Sequence, residues 1–226
     1  MPRMGLDLLC TRLAGLQLDR APRQACQTEG MPAPALLFGA DVPEGFLHSD
    51  DFVGADDEAA LLAEIQRIEF STFEMRGVVA RRRVAFFGLS YDKGDAPSRP
   101  IPEFLFPLRA RLAAFGGVKP EAFVMSLINE YRPRAPIGWH RDAPQYGIVS
   151  GLSLLSPCRM RLRPYISPSE AAKEAIRRKT THEIVLLPRS AYVMTGKSRS
   201  HYEHSIPAVD NLRYSITFRT LRVEGA

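Results

Sequence analysis

His140 and Asp142 are separated by one residue, and two further histidines, His201 and His204, follow much later in the chain. Residues two apart on a strand point to the same face, so His140 and Asp142 can grip one ion together. With a distant histidine they form a two-histidine, one-carboxylate donor set. Such a set leaves one face of the metal open and suits non-haem Fe(II) that must take up both a co-substrate and dioxygen. Taken alone, His140-Arg141-Asp142 reads equally well as a His–Asp pair on a solvated strand. What gives it direction is the strand-like run Arg213-Tyr214-Ser215-Ile216-Thr217-Phe218-Arg219. Period two puts both guanidiniums on one face, with Ser215 and Thr217 between them. Two arginines facing one way need anions or open water, and a dicarboxylic acid chelating the metal would satisfy both through forked hydrogen bonds.

Three pieces combine: Asn129-Glu130-Tyr131 ahead of the His-x-Asp pair, His204-Ser205-Ile206-Pro207 after it, and the two arginines six apart. Together they resemble the AlkB-type Fe(II)/2-oxoglutarate dioxygenases over residues 36–222. Prolyl-hydroxylase-type relatives use a single basic residue for the co-substrate, so the second arginine separates this chain from them. The resemblance implies that His140, Asp142 and His204 are the catalytic iron ligands. It implies that Asn129, Tyr131 and Ser215 line the 2-oxoglutarate site, that Arg213 pairs with the distal carboxylate, and that Arg219 pairs with the carboxylate on the metal. The family places its last ligand two residues before Ile-Pro, which selects His204 and leaves His201 as a flanking residue. His48 and His182 fit no part of the pattern and read as surface histidines.

The same resemblance implies Fe(II), 2-oxoglutarate and O2 as cofactor and co-substrates, and oxidative dealkylation as the reaction. Its substrate would be an N-alkylated base in DNA or RNA, single-stranded nucleic acid being favoured, extruded and held between side chains. The segment from Phe73 to Tyr91 matches the family's lid. Phe73, Met75 and Tyr91 could stack on a base, or could be the core of a hairpin. Arg81 and Arg83, in the run Arg81-Arg82-Arg83, could contact phosphates or guard a strand edge. There is one departure: where DNA-repair members carry an acid that reads the base's amino group, this chain has Pro144, with Gln145 as the nearest polar residue. Ser215 likewise stands where many members have Asn. Two alternatives stay open: the same chemistry on a protein or small molecule, or a jelly-roll binding module without activity.

These residues need a scaffold. Asp57–Ile68 reads as a helix with acids at its start and Leu61, Leu62, Ile65 and Ile68 on one face. A second helix is expected over 102–115, kinked at Pro107 and ended by Gly116-Gly117. From 122 onward eight short strands are expected, at 123–131, 137–141, 151–155, 159–163, 183–187, 191–195, 202–206 and 212–221. A surface helix over 171–179 interrupts them. The predicted fold class is α+β, mainly β: a double-stranded β-helix (jelly roll) with two N-terminal supporting helices and a lid hairpin. The expected domains are an extension over 1–35 and a dioxygenase domain over 36–226, with the lid at 70–95 and the jelly roll at 122–222.

Composition is compatible with one such domain. The 226 residues are 45% hydrophobic, enough for a full core. No apolar run reaches the ~20 residues of a membrane span. The first residues lack the apolar core of a secretory signal. Three cysteines without a C-x-x-C argue against a disulfide framework or zinc site. A cytoplasmic monomer is the expectation. Of the 30 basic residues 5 are lysine, and the net charge is +5; arginine favours phosphate because its fork contacts two oxygens at once.

Overall fold

A computed structural model of the chain describes residues 42–75, 78–89, 99–167 and 181–222; for 73–75 and 78–79 it describes the backbone only. The expected extension at 1–35, Tyr91 and the helix at 171–179 lie outside the described residues.

Among the described residues eleven strands form two antiparallel sheets. In chain order the strands are β1 (Phe46–Ser49), β2 (Ser71–Met75), β3 (Val78–Gly88), β4 (Phe123–Tyr131), β5 (Ile137–His140) and β6 (Tyr146–Leu154). The others are β7 (Cys158–Pro164), β8 (His182–Leu186), β9 (Ala191–Met194), β10 (Tyr202–Ile206) and β11 (Arg213–Leu221). The larger sheet has the order β1-β9-β6-β11-β4-β3-β2, and the smaller β5-β10-β7-β8. The eight strands from residue 123 onward all exist, and the jelly-roll prediction holds. β6 starts five residues before its predicted position, and Gly147 near its start lets it approach β11 closely: a Cβ there would lie 2.9 Å from Thr220 Oγ1.

Alternation along β3, β4 and β11 divides the larger sheet into two faces. The outer face carries Ala85, Phe87, Phe123, Ile128, Ile216 and Phe218, which pack with Leu152 and Leu154 of β6 against two helices. These are α1 (Ala55–Ile65) and α2 (Phe106–Phe115). α1 opens with Asp56, Asp57 and Glu58, where carboxylates offset the positive helix end, and the Asp57 carboxylate accepts a bond from Gly54 N–H. Leu61 and Ile65 are buried, with Leu62 and Ile68 packed beside them. Pro107 does not kink α2. It sits in the helix's first turn, after a single 3₁₀ turn at Glu103–Leu105, where a missing N–H costs nothing.

The β2–β3 hairpin of the expected lid is there, and β3 also pairs with β4 from Arg83↔Glu130 to Gly88↔Met125, so it is at once a hairpin strand and a strand of the larger sheet. His48 is not a surface histidine: it is half-buried on β1, with Nε2 enclosed 3.5 Å from Asp50. His182 is also half-buried, its ring 5.7 Å from that of Tyr202. Cys158 is a free buried thiol. Among the described residues no helix is long and apolar enough to cross a membrane.

Candidate metal and co-substrate site

The smaller sheet brings the two histidines together. His140 ends β5 and pairs directly with His204 of β10, and their rings lie 4.2 Å apart between centroids. His140 Nδ1 meets the Gly138 carbonyl at 2.9 Å, which fixes the ring and turns Nε2 away from that bond. Asp142 follows β5 in the loop, its Oδ2 3.8 Å from His204 Nε2. His201 is exposed, with Nδ1 against Ser200 Oγ at 2.8 Å.

Electrostatics follow from burial and crowding. Burial alone would raise the Asp142 carboxyl, but Arg219, then His204, His140 and Arg199, hold it far below the usual carboxylate range. Burial pushes His204 down to about 3, with His140 adding to the shift. His140 is lowered too, chiefly by burial, with Asp142 opposing and Arg82 and Arg219 assisting. Neutral imidazoles and an ionised carboxylate are the forms that ligate a metal.

The larger sheet contributes Asn129, Tyr131, Arg213, Ser215 and Arg219 to the same inner side. β4 and β11 pair Tyr131 with Arg213 and Asn129 with Ser215. Asn129 Nδ2 donates to Ser215 Oγ at 3.3 Å. Arg213 is 1% exposed and lies over the Tyr131 ring at 4.9 Å. Its Nε donates to Ser153 Oγ at 3.1 Å, while Nη1 is buried with no hydrogen-bond partner. A buried guanidinium N–H left open is costly, and a carboxylate would satisfy it. Arg219 is engaged differently from expectation. Its Nε and Nη2 both donate to Asp142 Oδ1, at 2.9 and 2.6 Å, and Nη1 donates to Thr217 Oγ1.

The substrate-side expectations divide. Arg83 faces the opposite side of the sheet, with Nε and Nη2 on the two Glu130 oxygens at 3.0 and 2.6 Å. Arg81, two residues away on that face, is exposed. Strand alternation turns the residue between them inward: Arg82 Nε donates to Asn129 Oδ1 at 3.2 Å. Period two thus splits the arginine run, with Arg81 and Arg83 on one face of the sheet and Arg82 on the other. Gln145 is half-buried and its carbonyl accepts from Arg222 N–H. The side chains of Phe73 and Met75 are outside the described set, as is Tyr91.

Two further residues shape the site without a sequence signal. Arg199, in the short helix α3 (Gly196–Ser200), is buried. Its Nη2 donates to the carbonyls of Asp142, Ala143 and Tyr146 at 3.3, 2.8 and 2.9 Å. It thereby fixes the loop that carries Asp142. On β6, Gly151 makes room for Tyr192: a Cβ there would lie 2.5 Å from its ring.

The family model described as the 2OG-Fe(II) oxygenase superfamily matches residues 84–219, more than half of the chain. The chain belongs to that superfamily. Its chemistry uses Fe(II), 2-oxoglutarate and dioxygen, so this protein is a dioxygenase of the oxidoreductase class. A relative from Arabidopsis thaliana, "Alkylated DNA repair protein ALKBH8 homolog", is 25% identical over 231 residues. That match takes in 93% of this oxygenase and 64% of the relative, so the chain spans just under two thirds of that protein. The structure of OsALKBH1 superposes with a TM-score of 0.61 at 17% identity, covering 79% of this chain and 99% of that one. A Pseudomonas putida prolyl-4-hydroxylase gives 0.52 at 16% identity, covering 79% and 94%. The two solved structures share the oxygenase's fold, and the AlkB-type resemblance stands.

The donor set fits such a metal. Two imidazoles and a carboxylate converge from β5, its following loop and β10, and the open Nη1 of Arg213 suits a dicarboxylate. As the side chains stand, no three His, Cys, Asp or Glu groups among the described residues close on one ion. Asp142 is drawn toward Arg219, and a cation would compete for it.

Proposed function

We propose that this oxygenase removes alkyl groups from N-alkylated nucleobases of DNA or RNA. His140, Asp142 and His204 would hold Fe(II), the donor set that leaves positions for co-substrate and dioxygen. Arg213, with Ser153 and Tyr131 fixing its guanidinium, would take the distal carboxylate of 2-oxoglutarate through the open Nη1. Asn129 and Tyr131 would orient the co-substrate from β4. When bound, Fe(II) couples decarboxylation of 2-oxoglutarate to succinate with transfer of the second oxygen atom into a C–H bond of the substrate. On an N-methyl group this gives a hydroxymethyl amine, which releases formaldehyde and leaves N–H.

One observation carries the choice of substrate: the likeness runs along 93% of the chain to a protein named for alkylated DNA repair. The half-buried Arg82 and the basic balance of the chain are in keeping with a nucleic-acid ligand. The test is anaerobic loading with Fe(II) and 2-oxoglutarate, then exposure to oxygen with methylated single-stranded DNA, RNA or peptide pools. Formaldehyde and substrate-dependent succinate are expected with a nucleic acid. If only the peptides, or neither polymer, stimulated succinate release, the proposal would fail.

A further inference from the structure

Arg82 is the one member of the arginine run that turns toward the site. Its bond to Asn129 Oδ1 sets the amide so that Nδ2 meets Ser215 Oγ. Through that bond and the β3–β4 pairing, Arg82 lies against the β4 residues of the candidate co-substrate site. Arg213 and Arg219 are buried, whereas Arg82 is half-buried, which places it toward the open side. On the inner faces of β3, β4 and β11 the charged side chains are these three arginines.

We infer that Arg82 reads the substrate base, and that it selects neutral bases whose alkylated nitrogen has a carbonyl on both sides. Examples are 3-methylthymine and 3-methyluracil. The inference rests on the nucleobase reading above. Two independent effects favour it. A guanidinium can only donate, so it pairs with a carbonyl oxygen and not with an exocyclic amino group. Pro144, close in the Asp142 loop, has no side-chain acceptor that would recover the amino-bearing bases. Charge acts in the same sense. Alkylating an amide-type ring nitrogen leaves a neutral base, whereas 1-methyladenine and 3-methylcytosine are cations, which Arg82 repels.

The test compares oligonucleotides carrying a single 3-methylthymine or 1-methyladenine in the same single-stranded sequence. The wild-type protein should turn over the 3-methylthymine substrate with kcat/KM about tenfold or more above the other. Arg82→Gln should bring that ratio toward one by loss on the carbonyl base, beyond any rise in the KM for 2-oxoglutarate, common to both bases, that follows from losing its bond to Asn129. Arg82→Lys, which keeps charge and donors, should recover part of the preference. Anaerobic binding of both oligonucleotides, followed by fluorescence anisotropy, should rank them the same way. Equal or reversed preference in the wild type would overturn the inference while leaving the nucleobase reading intact. So would an Arg82→Gln effect confined to the KM for 2-oxoglutarate, which would make Arg82 a prop for Asn129. If neither oligonucleotide were turned over while peptides were, the nucleobase reading itself would fall, and the role of Arg82 with it.

Discussion

Arg219 places two N–H groups on a single oxygen of Asp142, Oδ1, and leaves Oδ2 facing His204 at 3.8 Å. The arginine thus sets which carboxylate oxygen is presented to the histidines. Arg219→Lys keeps the charge but not the fork, so the carboxylate should turn more freely. Loss of a partner behind a metal ligand typically costs about 10–100-fold in metal affinity. Titration with Co(II), read by its visible absorption, should show a loss of that order; unchanged affinity would remove Arg219 from this role.

Arg213→Ala should raise the KM for 2-oxoglutarate far more than the KM for the proposed alkylated substrate. The co-substrate carboxylate would be left desolvated and unpaired, a loss of about 2–5 kcal/mol. Steady-state kinetics with each substrate varied in turn gives the comparison. An unchanged KM for 2-oxoglutarate would detach Arg213 from the co-substrate.

Arg199 donates to three carbonyls of the Asp142 loop from a buried position. Arg199→Met keeps the side-chain volume in part but leaves those carbonyls without their donor. A cost of about 2–4 kcal/mol in unfolding free energy is expected, since each lost partner exposes a desolvation penalty. Chemical denaturation of the metal-free protein measures it, and a value below about 0.5 kcal/mol, the range of ordinary surface changes, would show the loop held by other contacts.

The outer face offers a pH test. Glu130 is buried between Arg83 and Arg132, with bonds of 2.6 to 3.0 Å. Burial would raise its carboxyl, but the two arginines hold it below its ordinary 4.5. A depressed acid stabilises the fold above its unfolded value and loses that contribution as pH falls through the folded one. Wild-type stability should therefore decline as pH drops below about 4.5, where unfolded chains begin to bind the proton. In Glu130→Gln the decline over the same window should be shallower. Parallel curves for the two proteins would exclude Glu130 as its source.

Much of this architecture is legible in sequence because its signals are local. The bounds of β4 and β10 are those expected: Phe123–Tyr131 is rich in apolar residues, and Tyr202–Ile206 is stopped by Pro207. The two arginines of β11 could be placed on one face from spacing alone, whereas Asp142 lies beyond the end of β5, in the loop, and not on the strand face expected for it. The errors arise where tertiary contact decides. β6 begins five residues earlier than expected, where Gly147 lies against β11, and Pro107 starts a helix that it would break one turn later. Arg81, Arg82 and Arg83 form a charge cluster in sequence, yet the strand splits them, and only the pairing of Arg83 with Glu130 fixes the phase. Arg199 carries no pattern, because its partners are carbonyls, which every residue has.

β3 belongs at once to the hairpin and to the sheet, and this bears on any attempt to transplant substrate preference between relatives. A chimera joined near residues 75 and 78 would leave Arg82, the proposed donor to the base, with the host. One joined near 70 and 89 would carry Arg82 along, but it would also strip β4 of its neighbour and separate Glu130 from Arg83. On the proposed role of Arg82, selectivity is wired through the framework. It should move between proteins by point substitution at the β3–β4 pairing more readily than by exchange of loops.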